Sequence, residues 1–272
     1  MRQRFISAGI LVALIAAVVL LSLKFSIFID IFVAFICAAA VFEFNKAVKT
    51  LHLYQMSFIS IAFAFIYPML LSYGMSTVIC YIYVTMMLGV LVFFHSKISF
   101  KEFAYTFSMT MIITVSLSLI VSLKDLDNKH STLYFVFSMA SPWLADAGAY
   151  FSGVFFGKHK LCPKISPKKT IEGAVGGVLF CIMTSCGVIF IFQWLIYNIN
   201  VNYINVILIS LCGALLSILG DLSFSVIKRS YSVKDYGDLI PGHGGILDRF
   251  DSVICFVPFL YIVLNYLPIV LE

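Results

Sequence analysis

Residues 220–252 read GDLSFSVIKRSYSVKDYGDLIPGHGGILDRFDS. This island of acids, bases, glycines and one histidine has an apolar run leading into it from residue 203. Another leads out of it to residue 271. Each run has about the 20 residues that a helix needs to cross a bilayer. Similar runs recur toward the amino terminus, at residues 6–23, 25–44, 56–72, 77–94, 104–123, 133–156 and 171–197, with the last two at 203–227 and 253–271. The pattern predicts an all-α, polytopic integral membrane protein with nine transmembrane helices. Composition agrees. The chain of 272 residues is 62% hydrophobic and only 11% charged, with a mean hydropathy of +1.05. Soluble domains carry about 25% charged residues. No sizeable soluble domain fits, so any chemistry belongs at the membrane surface or within it.

The net charge of +5 is assigned to topology, and no nucleic-acid partner is expected. With the amino terminus inside, the outer segments hold only Lys24, Lys124 and Lys129 of the 18 basic residues. That asymmetry predicts a cytoplasmic amino terminus. The basic start and first apolar run look like a signal peptide, but no small-x-small cleavage site follows, so the run is read as a retained span. The seven cysteines form no C-x-x-C pair and are read as small core residues. The inner loops 43–52 and 95–103 are short, and their lysines need only orientation and anionic headgroups to explain them. The chain divides into anchoring helices, residues 1–130, and catalytic helices with cytoplasmic loops, residues 131–272.

Acids inside spans are functional candidates because burying them in hydrocarbon is costly. Asp30 has no evident company and is read as structural, paired with a neighbouring helix or placed in a shallow wet region. Asp146 has Tyr150 one turn on and lies about 16 Å from the helix end at Gly157. Gly153-x-x-x-Gly157 and Gly173-x-x-x-Gly177 form a close-packing pattern, so Asp146 is either a ligand contact or a bundle hydrogen bond. Glu172 also falls within a span. Asp221, Ser225 and Lys228 share one helix face, flanked by Arg229, and an internal salt bridge is the plainer alternative.

Two loops suit phosphate. In KHKLCPKISPKKT, residues 158–170, Ser166 and Pro167 read as a helix cap and first helical residue. Lys168, Lys169 and Thr170 then occupy the first turn, where free amides and ammonium groups favour an anion. In residues 230–251, Lys234 and Asp235 precede Pro241-Gly242-His243-Gly244-Gly245, whose glycines let backbone approach a ligand. Asp248, Arg249 and Asp251 open the last span. Asp248 and Asp251 suit a helix start as caps, but with Asp221 they look more like a site for a hard cation such as Mg²⁺.

In order, Ser225-x-x-Lys228-Arg229, Lys234-Asp235-x-Gly237, Pro241-Gly242-His243-Gly244-Gly245 and Asp248-Arg249-x-Asp251 resemble the signature of the phosphatidate cytidylyltransferase (CDP-diacylglycerol synthase) family. So does the earlier Pro142-Trp143-x-x-Asp146 to Tyr150, with Ser166-Pro167-Lys168-Lys169-Thr170-x-Glu172-Gly173. The likeness covers residues 141–252, about half the chain. It implies transfer of CMP from CTP to phosphatidate, giving CDP-diacylglycerol and pyrophosphate for phospholipid biosynthesis. It also implies dependence on Mg²⁺, with a monovalent cation such as K⁺ nearby, and a homodimer. The metal would lie between Asp221 and Asp248, in an active site facing the cytoplasm at the cell (inner) membrane, with membrane lipids among the protein's partners.

The chemistry is consistent with these residues. The nucleophile is a phosphate monoester, already anionic near neutral pH, so the barrier is charge repulsion. Positioning and neutralisation are what phosphoryl-type transfer demands. Lys168, Lys169, Lys228, Arg229 and Lys234 supply positive charge. Ser225 supplies a donor or ligand, and His243 a contact to phosphate or base. The alternatives are an ion- or proton-coupled transporter and a related enzyme acting on an isoprenoid lipid phosphate.

Overall fold

The computed structural model describes residues 2–127, 129–242 and 244–271, with only the backbone of residues 2–8 and 10–12. These residues form nine α-helices: α1 (Arg2–Ser22), α2 (Ile27–Ala47), α3 (Tyr54–Leu71), α4 (Ser76–Phe93), α5 (Phe100–Leu126), α6 (Ser131–Phe156), α7 (Ile171–Phe192), α8 (Tyr203–Ser230) and α9 (Leu247–Leu264). Two short antiparallel hairpins accompany them. Strand β1 (Lys160–Cys162) pairs with β2 (Ser166–Thr170), and β3 (Asn200–Val201) pairs with β4 (Val270–Leu271). Six helices, α2 to α5, α7 (extended by a π-helical turn to Tyr197) and α8, are long and apolar enough to cross a membrane. The protein is an all-α integral membrane protein. Helices α1 to α8 overlap the expected apolar runs, as a backbone in hydrocarbon must satisfy its own hydrogen bonds, but α9 runs from Leu247 to Leu264 rather than over residues 253–271.

The chain divides into two compact units. The first comprises Met1–Asp125 and Tyr231–Phe250, the second Leu126–Ser230 and Asp251–Glu272. In the first unit, α2 packs on α3 and α3 on α4. Phe63 stacks on Tyr83 at 4.1 Å, and Tyr83 on Phe107 at 5.6 Å. The Tyr83 hydroxyl keeps a partner within this apolar cluster, Ser60 Oγ at 3.2 Å. Asp30 is neutralised here: Lys124 Nζ donates to both of its oxygens at 2.7 Å. Lys124, read above as an outer-loop residue, therefore lies on α5 with 7% of its side chain exposed. A buried carboxylate needs a buried cation, and Lys124 is that cation.

In the second unit, α6 and α7 lie in close contact along small residues. A Cβ added to Gly173 would sit 2.7 Å from Ala149 O, and one added to Gly177 would sit 2.8 Å from Ala145 O. Gly153 faces Gly173 across the same seam. Lipid supplies little hydrophobic drive between helices, so packing at such close range holds them together. Helix α8 admits α9 in the same way. A Cβ at Gly220 would lie 2.7 Å from Asp251 O, and one at Gly213 would enter the Phe256 ring. Asn205 Nδ2 donates to Pro268 O at 2.7 Å, tying the start of α8 to the chain beyond α9.

Candidate active site

The segment Ser166–Thr170 is a strand, not the first turn of a helix as its Ser-Pro start predicts. Its pairing with Lys160–Cys162 supplies backbone partners that a helix start would leave open. Thr170 is the true cap of α7, extended at φ −124° and ψ 156°, with its hydroxyl accepting from Gly173 N at 3.1 Å. The strand changes what the lysines do. Alternate strand residues face opposite ways. Lys168 is exposed, while Lys169 is partly buried and forms an ion pair with Asp221. The lysines precede the helix rather than opposing its dipole. Glu172, in the first turn of α7, accepts from Lys158 N at 3.0 Å and from His159 N and Nδ1, which fastens the turn after α6.

On α8, Ser225 Oγ points toward Asp221 Oδ1 at 3.5 Å, as their four-residue spacing requires. Lys228 is buried and faces Asp251 on α9, with Nζ 3.5 Å from Oδ2. The close approach of α9 at Gly220 sets Asp251 against the neighbour of Asp221. Sequence spacing places Lys228 on the Asp221 face, but the ion pairs are Lys169 with Asp221 and Lys228 with Asp251. Two acid–lysine pairs of the second unit are thus Lys169 with Asp221 and Lys228 with Asp251. Arg229 is exposed at the end of α8. Asp146 is half-buried on α6, and Tyr150 is 68% exposed, its ring against Phe151 at 5.6 Å.

In the first unit, the loop after α8 wraps around Asp248, in the first turn of α9. Asp248 Oδ2 accepts from Tyr236 N at 2.8 Å and from Gly245 N at 3.1 Å. Gly244 holds φ +83°, which L side chains rarely adopt, and a side chain there would meet Asp248 Oδ2 at 3.4 Å and Asp235 Cγ at 3.6 Å. Asp235, Gly244, Gly245 and Asp248 are therefore brought together. Lys234, Asp235 and Arg249 are exposed. His243 lies outside the described residues. Lys46 Nζ donates to Asp238 at 3.1 Å, and this ammonium holds the Asp238 carboxyl below its usual range. Asp221 and Asp248, expected to share a cation, belong to different units. Among the described residues, no three His, Cys, Asp or Glu side chains gather closely enough to hold a metal.

Sequence reasoning missed Glu43. It was assigned to a plain inner loop, but it lies on α2, is 1% exposed, and accepts from Leu247 N at 2.9 Å. The signal for it is a single acid at the end of an apolar run.

The class defined by this architecture is an integral membrane protein that sets paired acids and lysines on helices and the loops between them. The chain belongs to the cytidylyltransferase family, whose sequence profile matches residues 2–267. It is similar to the phosphatidate cytidylyltransferase of Bacillus subtilis (strain 168), with 38% identity over 181 residues, 66% of this chain and 65% of that protein. The Haemophilus influenzae phosphatidate cytidylyltransferase is 43% identical over 136 residues, 49% of this chain and 46% of the relative. That of Staphylococcus haemolyticus is 42% identical over 131 residues, 48% of each. The chain spans just under two thirds of the first of these proteins and about half of the other two.

Proposed function

We propose that the protein is a phosphatidate cytidylyltransferase. A phosphatidate oxygen attacks the α-phosphorus of CTP, the bond from that phosphorus to the β-phosphate oxygen breaks, and CDP-diacylglycerol and pyrophosphate form. The observation that carries the reading is the double pairing of Lys169 with Asp221 and Lys228 with Asp251. Each pair offers one group for phosphate and one for a cation, which a nucleotide triphosphate with its counter-ion brings together. As the ligand enters, Lys169 and Lys228 turn to phosphate oxygens, and the exchange replaces one set of ion pairs with another. Lys168, Arg229 and Lys234, all exposed, meet the remaining charge.

Carboxylates are the residue type that suits Mg²⁺, which takes one or two of them together with substrate phosphates. The carboxylates we assign to it are Asp221, Asp248 and Asp251. These residues would hold the ion, with K⁺ nearby. Bound there, Mg²⁺ would screen the triphosphate and stabilise the leaving pyrophosphate. Nine spans, a cytoplasmic amino terminus, an active site facing the cytoplasm at the inner membrane and a homodimer belong to the same reading. The bias of basic residues between loops supports the orientation.

Purified protein with labelled CTP, Mg²⁺ and phosphatidate should release pyrophosphate and form labelled lipid. Turnover only with an isoprenoid phosphate would move the assignment to that substrate. Ion flux in vesicles without turnover would overturn it. Mn²⁺ binding, read by magnetic resonance, should weaken in both Asp221→Asn and Asp248→Asn.

A further inference from the structure

We propose that Glu43 is a positioning residue that caps α9 from a different helix and so aims Asp248; the functional half of this proposal rests on the reading above. Leu247 is the first residue of α9, and its amide is among those a helix leaves without an internal partner. Glu43 Oε2 accepts that amide at 2.9 Å, and the Ile246 amide also donates to this carboxylate. The acceptor comes from near the end of α2, 204 residues away in sequence. It sits at the positive end of the α9 dipole, where an acidic group is favoured.

The loop is shaped around this carboxylate. A Cβ on either Gly237 or Gly245 would run into the Glu43 oxygens. Both glycines therefore have an explanation that needs no ligand: only glycine fits beside Glu43. The next residue of α9 is Asp248, and Gly245 N donates to Asp248 Oδ2 at 3.1 Å. Gly245 thus touches both acids, packing on Glu43 and bonding to Asp248. Shifting the first turn of α9 changes the direction in which Asp248 presents its carboxylate. Supporting groups of this kind typically cost about ten- to a hundredfold in activity or metal affinity when removed.

The test uses the full chain in lipid nanodiscs. Glu43→Ala should speed amide hydrogen exchange across residues 244–248. It should lower kcat by about ten- to a hundredfold and raise the Mg²⁺ concentration for half-maximal rate. Glu43→Gln keeps an acceptor without the charge and should fall between the two. Gly245→Ala should reproduce the Glu43→Ala exchange pattern, and it serves if Glu43→Ala does not fold. Asp30→Asn, which loses a buried carboxylate from the same helix, should lower thermal stability without moving the Mg²⁺ midpoint. Unchanged exchange in Glu43→Ala overturns the cap, whatever reaction the wild type performs. Faster exchange with native kcat and a native Mg²⁺ midpoint overturns the positioning role. A wild type without CMP transfer defeats the assigned reaction and leaves the exchange result to judge the cap.

Discussion

Two alanines placed in the same helix should shift stability in opposite directions. Gly177 and Gly187 both lie on α7. A Cβ at Gly177 would lie 2.8 Å from both Ala145 O and Ala149 Cβ, whereas one at Gly187 would meet nothing within 4 Å. Carbon atoms rest about 3.5–4.0 Å apart, so the first substitution must open the α6–α7 seam by roughly 0.7–1.2 Å. A gap of that size forfeits about a quarter to a half of each contact along it. Overpacking of this kind costs about 1–3 kcal/mol. Alanine returns up to about 1 kcal/mol through its better helix propensity, which leaves a net loss of up to roughly 2 kcal/mol for Gly177→Ala. Gly187→Ala keeps the gain alone and should stabilise by up to about 1 kcal/mol. Ala149→Gly should recover part of the Gly177→Ala loss, because it removes one of the two close contacts. Equilibrium unfolding in mixed detergent micelles gives both signs. If both alanines move the midpoint the same way, the seam does not hold α6 to α7 by close approach.

Lys124→Met should destabilise by about 3–5 kcal/mol by stranding the Asp30 carboxylate, and Asp30→Leu in the same chain should restore most of the loss; unfolding of the single and double variants checks this. Asp248→Asn should cut turnover by roughly a hundredfold or more while leaving membrane insertion and thermal stability near wild type, as read by CTP turnover beside a melting curve. Lys169→Met should lower kcat/KM for CTP by about ten- to a hundredfold, the equivalent of the ~1.5–3 kcal/mol of a charged hydrogen bond; steady-state kinetics at varied CTP reads it.

The helices were legible because a span must be both long and apolar, and both properties are visible in one stretch of chain. The α6–α7 seam was legible too: the four-residue spacing of Gly153, Gly157, Gly173 and Gly177 is local information. What failed depended on distant partners. Ser166-Pro167 carries a good local cap signal, but the strand it joins is decided by pairing with Lys160–Cys162, and Thr170 takes over the cap. Lys124 counted as a loop charge until Asp30, 94 residues away, was placed beside it. Glu43 was hidden for the same reason, since its partners are backbone amides that carry no side-chain signature. Spacing put Asp221, Ser225 and Lys228 on one face, but which acid each lysine joins was settled by α7, α9 and the β1–β2 hairpin.

The small β3–β4 ladder has a mechanical consequence. Asn202 N donates to Ile269 O at 2.9 Å, next to the pairing of residues 200–201 with 270–271. Helices α8 and α9 are thereby stitched at one extremity and pressed together at Gly220 toward the other. A pair of rods fastened at both extremities cannot scissor. If the proposed reaction holds, changes in the lysine-bearing β1–β2 hairpin should tune selectivity without disturbing these rods.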